Sequence, residues 1–283
     1  MAAPPGYDPS FLGPEVPLPT TAPSGAGRAA PTTVTLTSTH FTVVLRPDRR
    51  LAAATAVNVD GAQLVPLDRD GTPWTLDPRA PEDSQAGPAV YADNDLDRGH
   101  LVRRRDPVWG DPRTAATANA ETFRYPNAAP QVAVFNQSKD LWLGLEDYVL
   151  DHADRTGTRL SVLTGPVLAD DDPPYRGVRL PRRFWKVAAW SRGGTLAATG
   201  YLLDQTDLID AFLARERSAA PRARADEELG AYRTFQVTVA SIADVAHLDL
   251  GPLPAADRLP AAPGTAPRAT SVVELTSVDD ITL

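Results

Sequence analysis

The sequence predicts an α+β fold: a central, mostly antiparallel sheet flanked by helices. Three observations point to it. Several strand-length runs are β-branched or alternate between apolar and polar residues, the stretch from about residue 91 to 154 reads as strand, strand, helix, and the segments at either end are rich in proline. At 283 residues the chain buries one substantial core, so a single main domain with tails fits better than two full domains.

The elements follow in order. Residues 1–33 form an arm rich in Pro, Gly, Ala, Ser and Thr that should lack regular structure of its own. Its Gly6-Tyr7-Asp8-Pro9-Ser10-Phe11-Leu12-Gly13 piece is more apolar than a linker needs, and is expected to pack against the domain, with an arm that stays disordered as the equal alternative. Phe41–Leu45 and Leu51–Val59 flank the turn Arg46-Pro47-Asp48-Arg49 and predict a hairpin feeding the sheet. Arg79–Gly87 is a polar, proline-bearing loop. Tyr91–Arg103 is strand and turn, Asn127–Phe135 a second strand or extended loop, and Ser138–Asp154 a helix. In that helix Leu141, Leu145, Tyr148 and Val149 share one face, and Thr156-Gly157 ends it. Leu160–Pro166, Phe184–Trp190 and Leu196–Leu203 continue the sheet, Leu208–Arg215 is a helix, and Gln236–Leu250 is a strand followed by a short helix. Pro252–Pro267 is a linker, and Ser271–Leu283 regains β-branched residues suited to an edge strand. The expected boundaries are therefore an arm at 1–33, a main domain at 34–252, and a linker with tail at 253–283.

Composition narrows the function classes. No run approaches eighteen apolar residues, which argues against a membrane-spanning helix, and the first residues lack a basic stretch followed by an apolar one. Zero cysteines exclude disulfides and thiolate metal sites, and a cytoplasmic setting is the default expectation. The net charge of -8 argues against a polyanionic partner unless cations cluster locally. Arg103-Arg104-Arg105 is such a cluster, with Arg113, Arg124, Arg182, Arg183 and Lys186 elsewhere; these are either solvated surface or a substrate track.

The most specific signal is Asp97-Arg98-Gly99-His100-Leu101, then Asn127-Ala128-Ala129-Pro130-Gln131, then Phe135-Asn136-Gln137, with Glu146 beyond. Cutting a phosphodiester needs a base for water, a cation for the phosphate and a hard metal for the leaving oxygen, and His100, Arg98 and Asn136 can fill those roles in that order. Gly99 allows a close approach or an unusual turn that lets the imidazole project. The other three histidines, His40, His152 and His247, are taken as structural. Asn136 also sits where a helix N-cap would, Glu146 could be a solvated helix carboxylate, and Asn127 could be a plain turn asparagine. Asp97 could orient Arg98 or the metal shell, or cap a turn.

Three blocks in this order and spacing resemble the DNA/RNA non-specific endonucleases of the ββα-metal type, the group that includes endonuclease G and Serratia nuclease. The resemblance is carried by Asp97-Arg98-Gly99-His100, by Phe123 to Gln131, and by Asn136-Gln137 leading to Leu145-Glu146-Asp147. It implies a ββα-metal fold and Mg²⁺-dependent cleavage of DNA and RNA, with Mn²⁺ able to substitute, to 5′-phosphate and 3′-hydroxyl ends. His100 would be the general base and Arg98 the phosphate ligand. Asn136 would bind the metal directly, with Glu146 acting through metal-bound water. Asn127 would support the site, and Gln131 with Arg103, Arg104 and Arg105 would contact substrate. Two departures stand out: Asn136 and Glu146 are ten residues apart, two more than is usual in the family, and Leu150 stands where some members have an arginine. A homodimer and an inhibitory or activating partner are further expectations. The alternatives are an inactive nucleic-acid-binding module and an unrelated metal-dependent phosphoesterase.

Overall fold

Ten consecutive buried residues, Leu51–Asp60, are the clue to the architecture: a strand buried along its whole length must be covered on both faces. In the computed structural model, which describes residues 6–23, 29–68, 71–133, 153–218, 233–259 and 272–275, this is what the sheet shows. The elements in chain order are β1 (Thr20–Thr21), β2 (Val34–Ser38), β3 (Phe41–Arg46), β4 (Leu51–Asp60), α1 (Pro88–Tyr91), β5 (Leu96–His100), α2 (Pro112–Glu121), β6 (Ala128–Val132), β7 (Arg159–Val167), β8 (Pro174–Tyr175), β9 (Val178–Arg179), β10 (Arg183–Arg192), β11 (Thr195–Asp204), α3 (Thr206–Ser218), β12 (Arg233–Val237), α4 (Val239–Ala246), β13 (Leu248–Asp249) and β14 (Val272–Leu275). Eight strands form one sheet in the order β14-β12-β11-β10-β7-β4-β3-β2, with every neighbouring pair antiparallel.

Alternation along the central strands feeds two cores. On β10, Phe184 and Ala188 enter one core while Trp185, Val187 and Ala189 enter the other. On β4, Val57 and Val59 face the first core, and Ala54 and Ala56 the second. The first core holds Tyr91, Leu96, Leu101, Val102, Tyr125, Ala129 and Val132, so the β5–β6 ribbon packs on that face. The second holds Tyr7, Leu12 and Val16 of the arm with Val239, Ile242 and Leu253.

The strands at 41–45, 51–59, 160–166, 184–190 and 196–203 stand where alternation places them, and the chain from Val272 to Leu275 does take the edge of the sheet. The arm packs as its aromatic piece implies: the Tyr7 hydroxyl donates to the Val16 carbonyl at 2.9 Å and the Tyr7 amide to Thr42 Oγ1 at 3.0 Å. It also contributes a short regular pairing, Thr20 and Thr21 against Asp249 and Leu248, that its composition did not suggest. The expected linker begins too early. Leu253 is fully buried, and Asp257 Oδ2 accepts the Val239 amide at 2.7 Å at the start of α4, so 252–259 belongs to the fold. Sequence reading also passed over α2, whose start is capped by Asp111 accepting from the Arg113 and Thr114 amides, with Pro112 in the first turn. The expected helix at 138–154 lies almost wholly outside the described residues. Residues 153–156 are helical, and Gly157, at φ +62°, takes the left-handed conformation that ends a helix.

Because the arm fills a core, its loss should be felt globally. Tyr7→Ala removes a buried ring and its hydroxyl bond, and should lower unfolding stability by about 3 kcal/mol in urea titration. A change below about 0.5 kcal/mol would mean that the arm contributes little to the folded state.

Candidate active site

β5 and β6 pair antiparallel, with Asp97 opposite Gln131, Gly99 opposite Ala129 and His100 opposite Ala128. Side chains alternate across a strand, so Arg98 and His100 share one face of the ribbon and Asp97 shares the other with Gln131. Gly99 is required sterically. A Cβ there would lie 2.1 Å from Gln131 Cδ, because the Gln131 side chain crosses over the glycine. Gln131 is 2% exposed. This corrects the expectation that it contacts substrate: it packs behind the strand that carries Arg98 and His100.

Asn127 holds the other end of the ribbon. Its Oδ1 accepts the Val102 amide at 2.9 Å, and its Nδ2 donates to the Val102 and Thr122 carbonyls, each at 3.0 Å. The Leu101 amide donates to the Asn127 carbonyl at 2.9 Å. The turn that follows His100 is thereby tied to the end of α2 through one buried amide. These bonds give Asn127 a structural role in holding the turn after β5.

The face bearing Arg98 and His100 lies against an aromatic wall. The His100 imidazole is 4.6 Å from the Trp74 ring centroid, tilted 49°, and 5.0 Å from Phe123, edge on at 89°. Trp74 continues to Tyr125 at 6.0 Å, and Tyr125 to Tyr91 at 6.0 Å. Arg98 Cζ lies 5.2 Å from the Tyr91 centroid and 5.9 Å from Tyr125. Trp74 is held in place by its neighbour: the Thr75 amide donates to the Phe123 carbonyl at 3.0 Å, and the Tyr125 amide to the Thr75 carbonyl at 2.9 Å. Beyond it Asp77 accepts from the Arg79 amide and guanidinium and faces Arg124 at 3.6 Å. Trp74, Tyr91 and Asp77 were missed by sequence reasoning, because nothing local in residues 71–91 marks them as neighbours of a motif at 97–100.

The arginine run divides by role. Arg104 donates to the Leu67 carbonyl at 3.1 Å and to Asn119 Oδ1 at 3.2 Å, which commits it to structure. Arg103 is half-buried and Arg105 exposed. Elsewhere Arg124 pairs with Glu121 and Asp77, and Arg182 with Asp210 at 2.7 Å. Lys186, 2% exposed inside the sheet, is no surface cation, which corrects its place in a second track. His40 is structural: it stacks on Trp109 with ring centroids 3.5 Å apart, its Nδ1 donates to the Pro107 carbonyl at 2.8 Å, and burial pushes its pKa below the usual imidazole value. His247 caps α4 in the left-handed conformation.

Asn136, Glu146 and His152 lie outside the described residues. Among the described residues no group of three or more His, Asp or Glu could hold a metal ion. Asn136 and Glu146 are oxygen donors, the chemistry that magnesium prefers.

A profile of the DNA/RNA non-specific endonuclease family matches residues 26–257. Over 217 residues the chain is 43% identical to y4fB of Sinorhizobium fredii, itself uncharacterized; the match covers 71% of this chain and 33% of y4fB, so the chain spans about a third of that relative's length. Among solved structures, a chain of the EndoG/EndoGI complex, a crystal structure that addresses the mechanism of EndoG inhibition, aligns with a TM-score of 0.55 and 19% identity, covering 76% of this chain and 84% of that one. That likeness is one of fold.

Asp77 provides a pH-dependent test of how the wall is supported. Burial works to raise its carboxyl, but the bonds from Arg79 and the field of Arg124 outweigh it and hold the pKa below the usual value. A depressed carboxylate stabilises the fold above its unfolded pKa, and the contribution is lost as pH falls through the folded value. Asp77→Asn should therefore cost about 2 kcal/mol near neutrality, and the gap to wild type should narrow in thermal melts run at progressively acid pH. A gap independent of pH would show that the charge is not what supports the loop.

Proposed function

The chain belongs to the DNA/RNA non-specific endonuclease family, and we propose that it is a magnesium-dependent nuclease with His100 as general base and Arg98 as the phosphate-binding cation. The observation that carries this reading is the placement of Arg98 and His100 on one face of β5, roughly 7 Å apart along the strand, with no carboxylate paired to Arg98 among the described residues. An arginine whose charge is not already spent on an acid is available to an anion.

In this reading the Arg98 guanidinium pairs with a non-bridging phosphate oxygen and orients the diester. His100, held between Trp74 and Phe123, takes a proton from a water molecule aligned behind phosphorus. The new phosphorus–oxygen bond forms as the bond to the 3′ oxygen breaks, and that oxygen leaves as an oxyanion that takes a proton from solvent water, giving 5′-phosphate and 3′-hydroxyl ends. Asn136 and Glu146 would hold magnesium, directly and through water, and the ion when bound supplies neutralisation of the charge that grows on the phosphate and leaving oxygen. None of these side chains reads a base edge, so cleavage should be indifferent to sequence in both DNA and RNA.

His100→Ala should lower plasmid cleavage on the order of 10²- to 10⁴-fold without moving the melting temperature, and added imidazole should restore part of it. Near wild-type turnover in this variant would refute the assignment. Asn136→Ala should lose activity that raised Mg²⁺ or Mn²⁺ partly returns, and chelation by EDTA should stop the wild-type enzyme.

Arg104 and Arg105 should separate. Arg105→Ala should raise KM and reduce the slope of log rate against log salt by about 0.7 to 0.9. Arg104→Ala should instead lower the melting temperature, because its bonds go to Leu67 and Asn119. Measuring both quantities for both variants checks the division; a stable Arg104 variant with a reduced salt slope would reverse it.

A further inference from the structure

Among the described residues Arg98 is anchored by rings and not by an acid. Arg46, Arg49, Arg79, Arg124, Arg159, Arg182 and Arg233 each face a carboxylate within 4.0 Å, whereas Arg98 faces two tyrosine rings. Both rings are buried, Tyr91 at 5% exposure and Tyr125 at 4%, and they stack at 24° to one another. The Arg98 Nε and the Tyr91 hydroxyl are both buried and have no hydrogen-bond partner among the described residues. A buried phenol without a partner costs stability, so the position is poorly explained by stability alone.

We propose that Tyr91, with Tyr125 beside it, is a positioning residue for Arg98: the ring faces hold the guanidinium by cation–π attraction, directing it without neutralising it. A carboxylate in that place would fix the arginine equally well, but it would compete with the phosphate for the same charge. An aromatic face attracts the cation through its quadrupole and leaves the net charge at +1. Stacking also suits a planar guanidinium and not an ammonium, so lysine is not an equivalent occupant. The proposal rests on Arg98 being the phosphate ligand.

The test is a double-mutant cycle on plasmid cleavage, reading kcat and KM. Tyr91→Phe removes the unpartnered hydroxyl, keeps the ring, and is the reference against which the ring face is tested; its thermal stability should equal or exceed that of the wild type. Tyr91→pentafluorophenylalanine preserves the ring's shape but reverses the polarity of its face, and should lower kcat on the order of tenfold relative to Tyr91→Phe. In an Arg98→Ala background the same two variants should be indistinguishable. If fluorination has no effect, or the same effect with and without Arg98, the seat proposal is overturned. If Arg98→Ala alone cleaves as wild type does, it is the assignment of Arg98 to phosphate that fails. Tyr91→Leu supplies a second route: its loss of kcat should also vanish in the Arg98→Ala background.

Discussion

One side-chain amide organises the candidate site. Asn127 meets both backbone groups of Val102 and the carbonyl of Thr122, while its own carbonyl takes the Leu101 amide. Those bonds set where β5 ends, and therefore where His100 points. The same residue immediately precedes β6, whose Gln131 folds across Gly99 at the far side of the ribbon. Two amide side chains thus frame the strand from end and back, leaving its front face to Arg98 and His100. Rigid support of this kind is what a site needs when it must hold two groups against one substrate.

The front face is built differently, from rings. Trp74, Phe123, Tyr125 and Tyr91 run in sequence beneath the imidazole and the guanidinium. Aromatic walls give shape and orientation without adding formal charge, which suits a protein whose overall charge of -8 already repels a polyanion. Among the described residues no acid pairs with Arg98, whereas Asp172 anchors Arg49 and Asp210 lies beside Arg182.

Much of this was legible in the sequence. Strand-length apolar runs such as Phe184–Trp190 place strands because a sheet covered on both faces needs apolar residues in both directions. The strand, strand, helix reading of the motif segment anticipates β5 and β6, while their pairing across the intervening α2 is seen only in the structure. What escaped had long-range causes. Trp74 and Tyr91 matter through rings that meet residues of another segment, and no periodicity records such a meeting. Gln131 looks like a ligand in a motif, and only the register shows that it lies behind Gly99. Arg104 looks like its two neighbours until the carbonyl of Leu67 is found at its tip. The helix α2 hid in an alanine- and threonine-rich stretch with little apolar contrast, although Asp111-Pro112 was a readable start.

β4 and β7 lie side by side in the sheet, yet the chain between them, residues 61–158, carries the whole ribbon. The site is therefore a long excursion from a frame that is complete without it. Closing such an excursion costs entropy that grows only logarithmically with its length, so residues can be added to or removed from it at little thermodynamic penalty. Its cost is kinetic: the central pairing joins segments about a hundred residues apart, a topology that folds slowly. A newly made chain must bring Thr55 to Thr164 before the ribbon has a floor to rest on, so the face bearing Arg98 and His100 is assembled only after the chain has passed the middle of the sheet.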